Sequence, residues 1–177
     1  EFMTIEGMKK AKSNLEKHGI QGVIAIGGDG TFKGALELAT LCSIPFVGCP
    51  GTIDNDLIGT DFTIGYDTAI NTVVEAVDKI RDTAESHDRL FFVEVMGRDA
   101  GLIALRSGIG SGAEAILISE AKTDFEKLIQ HLKEGRKDKS SKIVIVSEQW
   151  GTGSVLQVAE KVKKALPYYD IRVSVLG

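Results

Sequence analysis

The chain has 177 residues, 43% of them hydrophobic and 26% charged, with a formal net charge of −4. That balance suits one soluble globular domain or two small ones, and the negative charge speaks against a general nucleic-acid surface. No apolar run reaches the ~20 residues of a membrane span, and "EFMTIEGMKK" lacks the apolar core of a secretory signal, so the expected location is cytoplasmic.

Ile5, Met8, Ala11 and Leu15 recur at helical spacing, and His18-Gly19 supplies a stop. Gly22 to Ile26 follows as an unbroken apolar strand, as expected when both faces are covered. After "GGDGT" a helix is expected over Phe32 to Leu41, then a short strand over Ile44 to Gly48. A long turn-rich loop, "CPGTIDNDLIGTDFTIGYDTA", leads to a helix from Ala69 to Ala84, with Ile70, Val73, Val74, Val77 and Ile80 on one face. Arg89 to Val95 reads as a strand, and "MGRDAG" opens a helix through about Leu105. Strands at Ala115 to Ile118, Ile143 to Val146 and Ile171 to Leu176 then alternate with helices at Asp124 to Leu132 and Leu156 to Leu166.

Such alternation predicts an α/β fold: parallel sheets with helices on both faces. A weak boundary near Gly65 separates residues 1–65 from 66–177. The polar stretch "KEGRKDKSSK", 133 to 142, reads as a solvated loop. Cys42 and Cys49 are expected as two buried thiols in a reducing cytosol, with a disulfide as the alternative, and neither has a partner at metal-ligand spacing. His18, His87 and His131 stand in polar sequence and read as surface residues.

Four constellations carry chemistry. In "GGDGT" a glycine turn between strand and helix lets backbone N–H groups approach phosphate oxygens at a positive helix end. Thr31 stands where an N-cap would. Asp29 would repel a phosphate unless a cation such as Mg²⁺ lay between them; the plain alternative is a strand-to-helix turn with a surface acid. In "PGTIDND", Asp54 and Asp56 flank Asn55 after a strand. They suit a metal or an acid/base pair, and Asx turns would also explain the pattern. In "VEVMGRDAG", Arg98 follows a strand and either clamps a phosphoryl group or pairs with Asp99 or Glu94. Glu148, ending "IVIVSE", either accepts sugar hydroxyls or serves as a cap.

Together "IGGDGT", "PGTIDND", "TIGYDTA", "SHDRLFFVEVMGRDAG" and "VIVSE" resemble the bacterial-type ATP-dependent 6-phosphofructokinase family, in order and spacing, over essentially the whole chain. The resemblance implies the three-layer, Rossmann-like fold of that family, with 1–65 in an ATP-binding domain and 66–177 in a fructose 6-phosphate-binding domain. It implies that Gly28, Asp29, Gly30 and Thr31 bind the phosphates of ATP and that Asp29 and Asp56 serve Mg²⁺. Thr52, Ile53 and Asp54 would meet the sugar, with Thr52, Asp54 and Arg98 catalytic and Asp54 the base for the fructose 1-hydroxyl. Met96, Gly97, Arg98 and Glu148 would hold substrate. Arg89 would reach the 6-phosphate in a neighbouring subunit of a homotetramer. Arg81, Glu120, Lys137 and Lys139 match allosteric effector positions.

Pyrophosphate-using members resemble GGDD and PKTIDND where this chain has Gly30 and Gly51, so the resemblance favours ATP, with ADP as product. Alternatives are a pyrophosphate-dependent or other sugar-phosphate kinase on the same scaffold, or a non-catalytic nucleotide-binding assembly module. The family's pattern departs at Ser119-Glu120, where Pro-Glu is usual. The family's leading glycine-rich loop and a later His and Arg segment have no counterpart here. The chain therefore reads as a central fragment of the enzyme, and little turnover is expected from it alone.

Overall fold

In a computed structural model, residues 4–85, 89–135, 142–148 and 154–177 are described. They form two compact units, Glu1–Gly65 and Tyr66–Gly177.

The first unit holds α1 (Ile5–Lys17), β1 (Val23–Gly27), α2 (Asp29–Leu41) and β2 (Phe46–Pro50). α1 starts at Thr4, whose hydroxyl accepts the Gly7 N–H, and stops where Gly19 turns left-handed at φ 62°. β1 and β2 are parallel, with Val23 opposite Phe46 and Gly27 opposite Pro50. Val23, Ala25 and Phe46 face Ala11 and Leu15 of α1 and Gly34, Ala35 and Leu38 of α2. Ile24, Ile26 and Val47, on the alternate positions, are exposed. The ring of Phe32 lies over Gly48, where any side chain would press into it.

The second unit holds α3 (Tyr66–Glu85), β3 (Arg89–Val95), α4 (Leu102–Gly110), β4 (Ala115–Leu117), α5 (Phe125–Glu134), β5 (Lys142–Ser147), α6 (Val155–Ala165) and β6 (Asp170–Leu176). Its sheet runs β4-β5-β3-β6, every pair parallel. All six residues of β5 are buried. Leu90, Phe92, Val144 and Val146 pack against Leu128 and Leu132 of α5 and Val155, Val158 and Val162 of α6. α3 and α4 pack on the same strands with Val73, Val77, Ile103 and Ala104 buried, so helices cover both faces. This is the α/β arrangement expected.

Most element positions agree with expectation to within a few residues, and three differ for physical reasons. α2 begins at Asp29, with Gly28 as N-cap, so Thr31 lies inside the first turn rather than capping it. α4 begins only at Leu102, because Gly97 and Arg98 adopt positive φ and cannot be helical. Lys142 is not part of a solvated loop. Its ammonium is buried, donates to the Leu132 carbonyl at the end of α5 (2.7 Å) and to the Tyr169 hydroxyl, and lies 4.8 Å from that ring's centre. Cys42 and Cys49 are free but half-buried. Among the described residues no helix is long and apolar enough to cross a membrane.

Candidate active site

In the first unit the two parallel strands end side by side. Gly51 N–H donates to the Gly27 carbonyl (3.1 Å), and the Gly28 α-carbon faces Thr52, whose Cβ would lie 3.4 Å from a side chain there. The GGDGT turn and the TID segment are therefore neighbours. Gly28 gives α2 no side-chain cap, unlike Asp124, which accepts the Lys127 N–H at the start of α5. The first N–H groups of a helix lack partners within it, so those at the start of α2 can meet an anion. Asp29 is exposed and pairs with Lys33, one turn on, at 2.6 Å. Gly30 has no atom within 4 Å of where a Cβ would stand, and with Thr31 it borders an apolar cavity of about 570 Å³. Gly51 differs: a Cβ there would lie 2.9 Å from the Ile26 side chain, so packing accounts for that glycine, and of the two only Gly30 bears on the phosphoryl donor.

Asp54 is half-buried, and its N–H donates to the Thr52 hydroxyl at 3.3 Å. Asn55 has φ 54°, and its side-chain oxygen accepts both the N–H and the hydroxyl of buried Thr63 (2.8 and 3.2 Å). Its amide donates to the Asp61 carbonyl. Asn55 thus anchors the loop, leaving Asp54 beside Thr52 and Asp56 in solvent. The Asx-turn alternative thus holds for Asn55, while its partner Thr63, eight residues on, was missed in the sequence.

In the second unit β3 and β5 are adjacent, yet the helices that follow them, α4 and α6, lie on opposite faces of the sheet. That is a topological switch point, where ligands of open parallel sheets bind. Arg98 follows β3 and Glu148 follows β5. The Glu148 N–H donates to the Val95 carbonyl (2.9 Å), and the Glu148 carboxylate accepts the Arg98 N–H at 3.2 Å. Arg98 sits at φ 52° and Gly97 at φ 139°. Met96 and Arg98 are exposed beside buried Gly97. Glu94, considered as a partner for Arg98, instead accepts the Val155 N–H at the start of α6.

Two of the four residues matched to effector positions, Arg81 and Glu120, bond to the ends of α4. Arg81 donates to the carbonyl of Ser111, its C-cap. Glu120 accepts the Gly101 N–H at its N-terminal end (2.8 Å) and the Ser119 hydroxyl (3.0 Å). Burial pushes the Glu120 carboxyl up, but hydrogen bonds from Gly101, its own N–H and Ser119 together hold it below its usual value. Lys137 and Lys139 lie outside the described residues.

Arg89 and Arg98 are not brought together. Arg89 opens β3 and Arg98 lies three residues past its end, and the strand between them spans six steps or about 20 Å. Arg89 donates to Asp170 on the paired strand at 2.9 Å, and Arg172 shares the same carboxylate oxygen at 3.1 Å. Burial raises the Asp170 carboxyl, and the two guanidiniums outweigh it and hold the group low. Arg172 was not singled out from sequence. Only its charge, two positions from an acid at a strand start, marks it.

The phosphofructokinase family model matches residues 1–177. An ATP-dependent 6-phosphofructokinase 2 of Bacteroides thetaiotaomicron is 55% identical over all of this chain and 55% of its own length. Thus the chain spans about half the length of the curated relatives it matches. Of solved structures, phosphofructokinase from Saccharomyces cerevisiae superposes with a TM-score of 0.84 at 30% identity, over 99% of this chain and 27% of that one. A pyrophosphate-dependent phosphofructokinase from Marinobacter aquaeolei gives 0.79 at 26% identity, over 97% of this chain and 48% of that one.

Proposed function

The chain belongs to the phosphofructokinase family, and from that premise we propose that it carries part of the machinery for phosphoryl transfer from MgATP to the 1-hydroxyl of fructose 6-phosphate. The products are fructose 1,6-bisphosphate and ADP. The observation that supports this reading is that Gly28, at the start of α2 with no side-chain cap, faces Thr52, two residues before half-buried Asp54.

In this reading the N–H groups of Gly28 to Thr31 hold the phosphates of ATP, and the cavity bordered by Gly30 and Thr31 takes apolar parts of the nucleotide. Asp54 takes the proton of the attacking hydroxyl, and Thr52 and Ile53 flank the sugar. Arg98 stabilises charge on the phosphoryl group in flight, while Met96, Gly97 and Glu148 hold the substrate. Among the described residues no three His, Cys, Asp or Glu side chains gather to hold a metal. That fits Mg²⁺ arriving with ATP, which needs only one or two carboxylates beyond the phosphates, and exposed Asp29 and Asp56 offer them. When bound, the ion neutralises phosphate charge.

The distance between Arg89 and Arg98 along β3 favours Arg89 serving a second copy of the chain, as in a homotetramer. Arg81 and Glu120, with Lys137 and Lys139, are proposed to answer an effector, and a cytoplasmic location suits a glycolytic kinase. The fold is shared with a pyrophosphate-dependent enzyme, so the donor rests on Gly30. The protein at its natural length, given fructose 6-phosphate, should form fructose 1,6-bisphosphate with MgATP. No product, or product with pyrophosphate alone, overturns the reading.

A further inference from the structure

The loop from Met96 to Gly101 carries Arg98 in a conformation that its own sequence does not favour. Gly97, at φ 139°, could bear no side chain, since a Cβ would stand 2.5 Å from the Ala100 carbonyl oxygen. Arg98, at φ 52°, occupies the left-handed region that L residues avoid. Such backbone persists only where its surroundings over-determine it. Glu148 tethers the Arg98 N–H, and the Ala100 N–H closes a turn onto the Gly97 carbonyl at 3.0 Å. The remaining tethers come from the end of β4. The Ser119 hydroxyl donates to the Asp99 carbonyl at 2.9 Å, and Glu120 accepts the Gly101 N–H at 2.8 Å. Gly101 permits this approach, because a Cβ there would stand 2.5 Å from Ile118 and 2.6 Å from the Glu120 carboxylate.

We propose that Ser119, acting with Glu120, is a positioning residue for Arg98. Its hydroxyl holds the carbonyl of Asp99, the residue after Arg98, and Glu120 holds the Gly101 N–H two residues on, so the pair fixes the C-terminal half of the loop while Glu148 holds the Arg98 N–H. The Ser119 hydroxyl has one proton and two acceptors within reach, the Asp99 carbonyl and the Glu120 carboxylate at 3.0 Å. Gly101 donates to one oxygen of that carboxylate and Ser119 faces the other, so the hydroxyl proton is shared between the Asp99 carbonyl and Glu120 and ties the two together. A purely structural cap would stabilise α4 without affecting Arg98. A positioning residue alters turnover, because Arg98 acts on charge that develops only during transfer.

This inference rests on the reading of Arg98 as the residue that meets the migrating phosphoryl group, and two measurements keep the two ideas apart. In the protein at its natural length, Ser119→Ala should lower kcat by about fivefold to a hundredfold, as small misplacements of catalytic groups do, with the KM for ATP within about twofold. Ser119→Thr, which keeps the hydroxyl, should restore most of it. Unchanged kcat in Ser119→Ala overturns the proposal. If the parent shows no phosphofructokinase activity, the functional reading fails while the latch stays testable by amide hydrogen exchange in the 177-residue chain. Ser119→Ala should then speed exchange at Arg98 and Gly101 at least about tenfold with β5 amides unchanged, and equal exchange overturns the latch. Should Ser119→Ala not fold, Glu120→Gln, which keeps an acceptor for Gly101 but weakens it, is read in both assays.

Discussion

The two units use the same βα chemistry to different ends. In the second, helices cover both faces of the sheet, β5 is wholly buried, and packing explains the glycines of α4 and its N-cap: Gly101 and Gly108 lie where a Cβ would strike Ile118 and Ile116. In the first, both helices lie on one face of a two-stranded sheet, Ile24, Ile26 and Val47 meet solvent, and Gly30 meets nothing. A glycine that packing does not require at the start of a helix is best explained by what must approach it. Burial is therefore concentrated in the second unit, while the first leaves one sheet face and the start of α2 uncovered.

The largest test of that division is chemical. Asp54→Ser in the protein at its natural length should lower kcat by about a hundredfold to ten-thousandfold, the usual range for loss of a general base. The KM for fructose 6-phosphate should change little, and the denaturation midpoint should hold. Turnover within a few-fold of the parent would remove Asp54 as the base. Next in size, Phe92→Ala should destabilise the 177-residue chain by about 3–5 kcal/mol, because it empties a fully buried position. Ile24→Ala, at a residue 69% exposed, should stay within about 0.5 kcal/mol. Equal costs in urea unfolding would break the comparison.

The glycines sharpen it. Gly108→Ala puts a methyl 2.6 Å from Ile116 in the α4–β4 contact and should cost about 1–3 kcal/mol. Gly30→Ala, in open space within a helix, should be neutral or stabilise by up to about 1 kcal/mol. Gly30→Asp should leave stability alone and weaken use of ATP. Unchanged ATP affinity would mean that the empty space at Gly30 is not where the nucleotide lies.

Much of this was legible in the sequence because β3, β4 and β5 of the second unit each carry an apolar run, Leu90–Val93, Ala115–Leu117 and Ile143–Val146, and each helix has a stripe of its own. The motif loops were legible as candidate sites, since glycines and acids gather only where strands end. Three things were not. The start of α2 was misplaced because a glycine N-cap leaves no side-chain signature. Lys142 was missed because it owes its place to Leu132 at the end of α5 and to Tyr169, and Arg172 because its local pair with Asp170 gains weight only when Arg89 on the paired strand shares that carboxylate. And Ser119, a plain turn residue in sequence, gains meaning only when β4 delivers it to the Asp99 carbonyl.

Acid should act on the second unit through its low carboxyls. The folded values of Glu120 and Asp170 lie below their ordinary ones. Their contribution is therefore complete above the unfolded values, roughly pH 4, and is lost as pH falls through the folded values. The urea midpoint should accordingly drop on going from pH 7 to pH 3, and Glu120→Gln should flatten part of that drop. An unaltered slope in the variant would show that the Gly101 and Ser119 bonds do not favour the ionised form.

The smallest expected effect has the opposite sign. Ser147 closes β5 one residue before Glu148, opposite Val95 in the ladder, and its hydroxyl is buried with no hydrogen-bond partner among the described residues. An unsatisfied buried hydroxyl costs about 1–3 kcal/mol, while the methyl of alanine fills most of the same space. Ser147→Ala should therefore be neutral to about 1 kcal/mol stabilising, measured by the urea midpoint. A loss of more than about 1 kcal/mol would mean that the hydroxyl is satisfied from outside the described residues. The second unit would then hold its switch point by a further polar contact, and the contrast with the open strand ends of the first unit would be sharper than packing alone makes it.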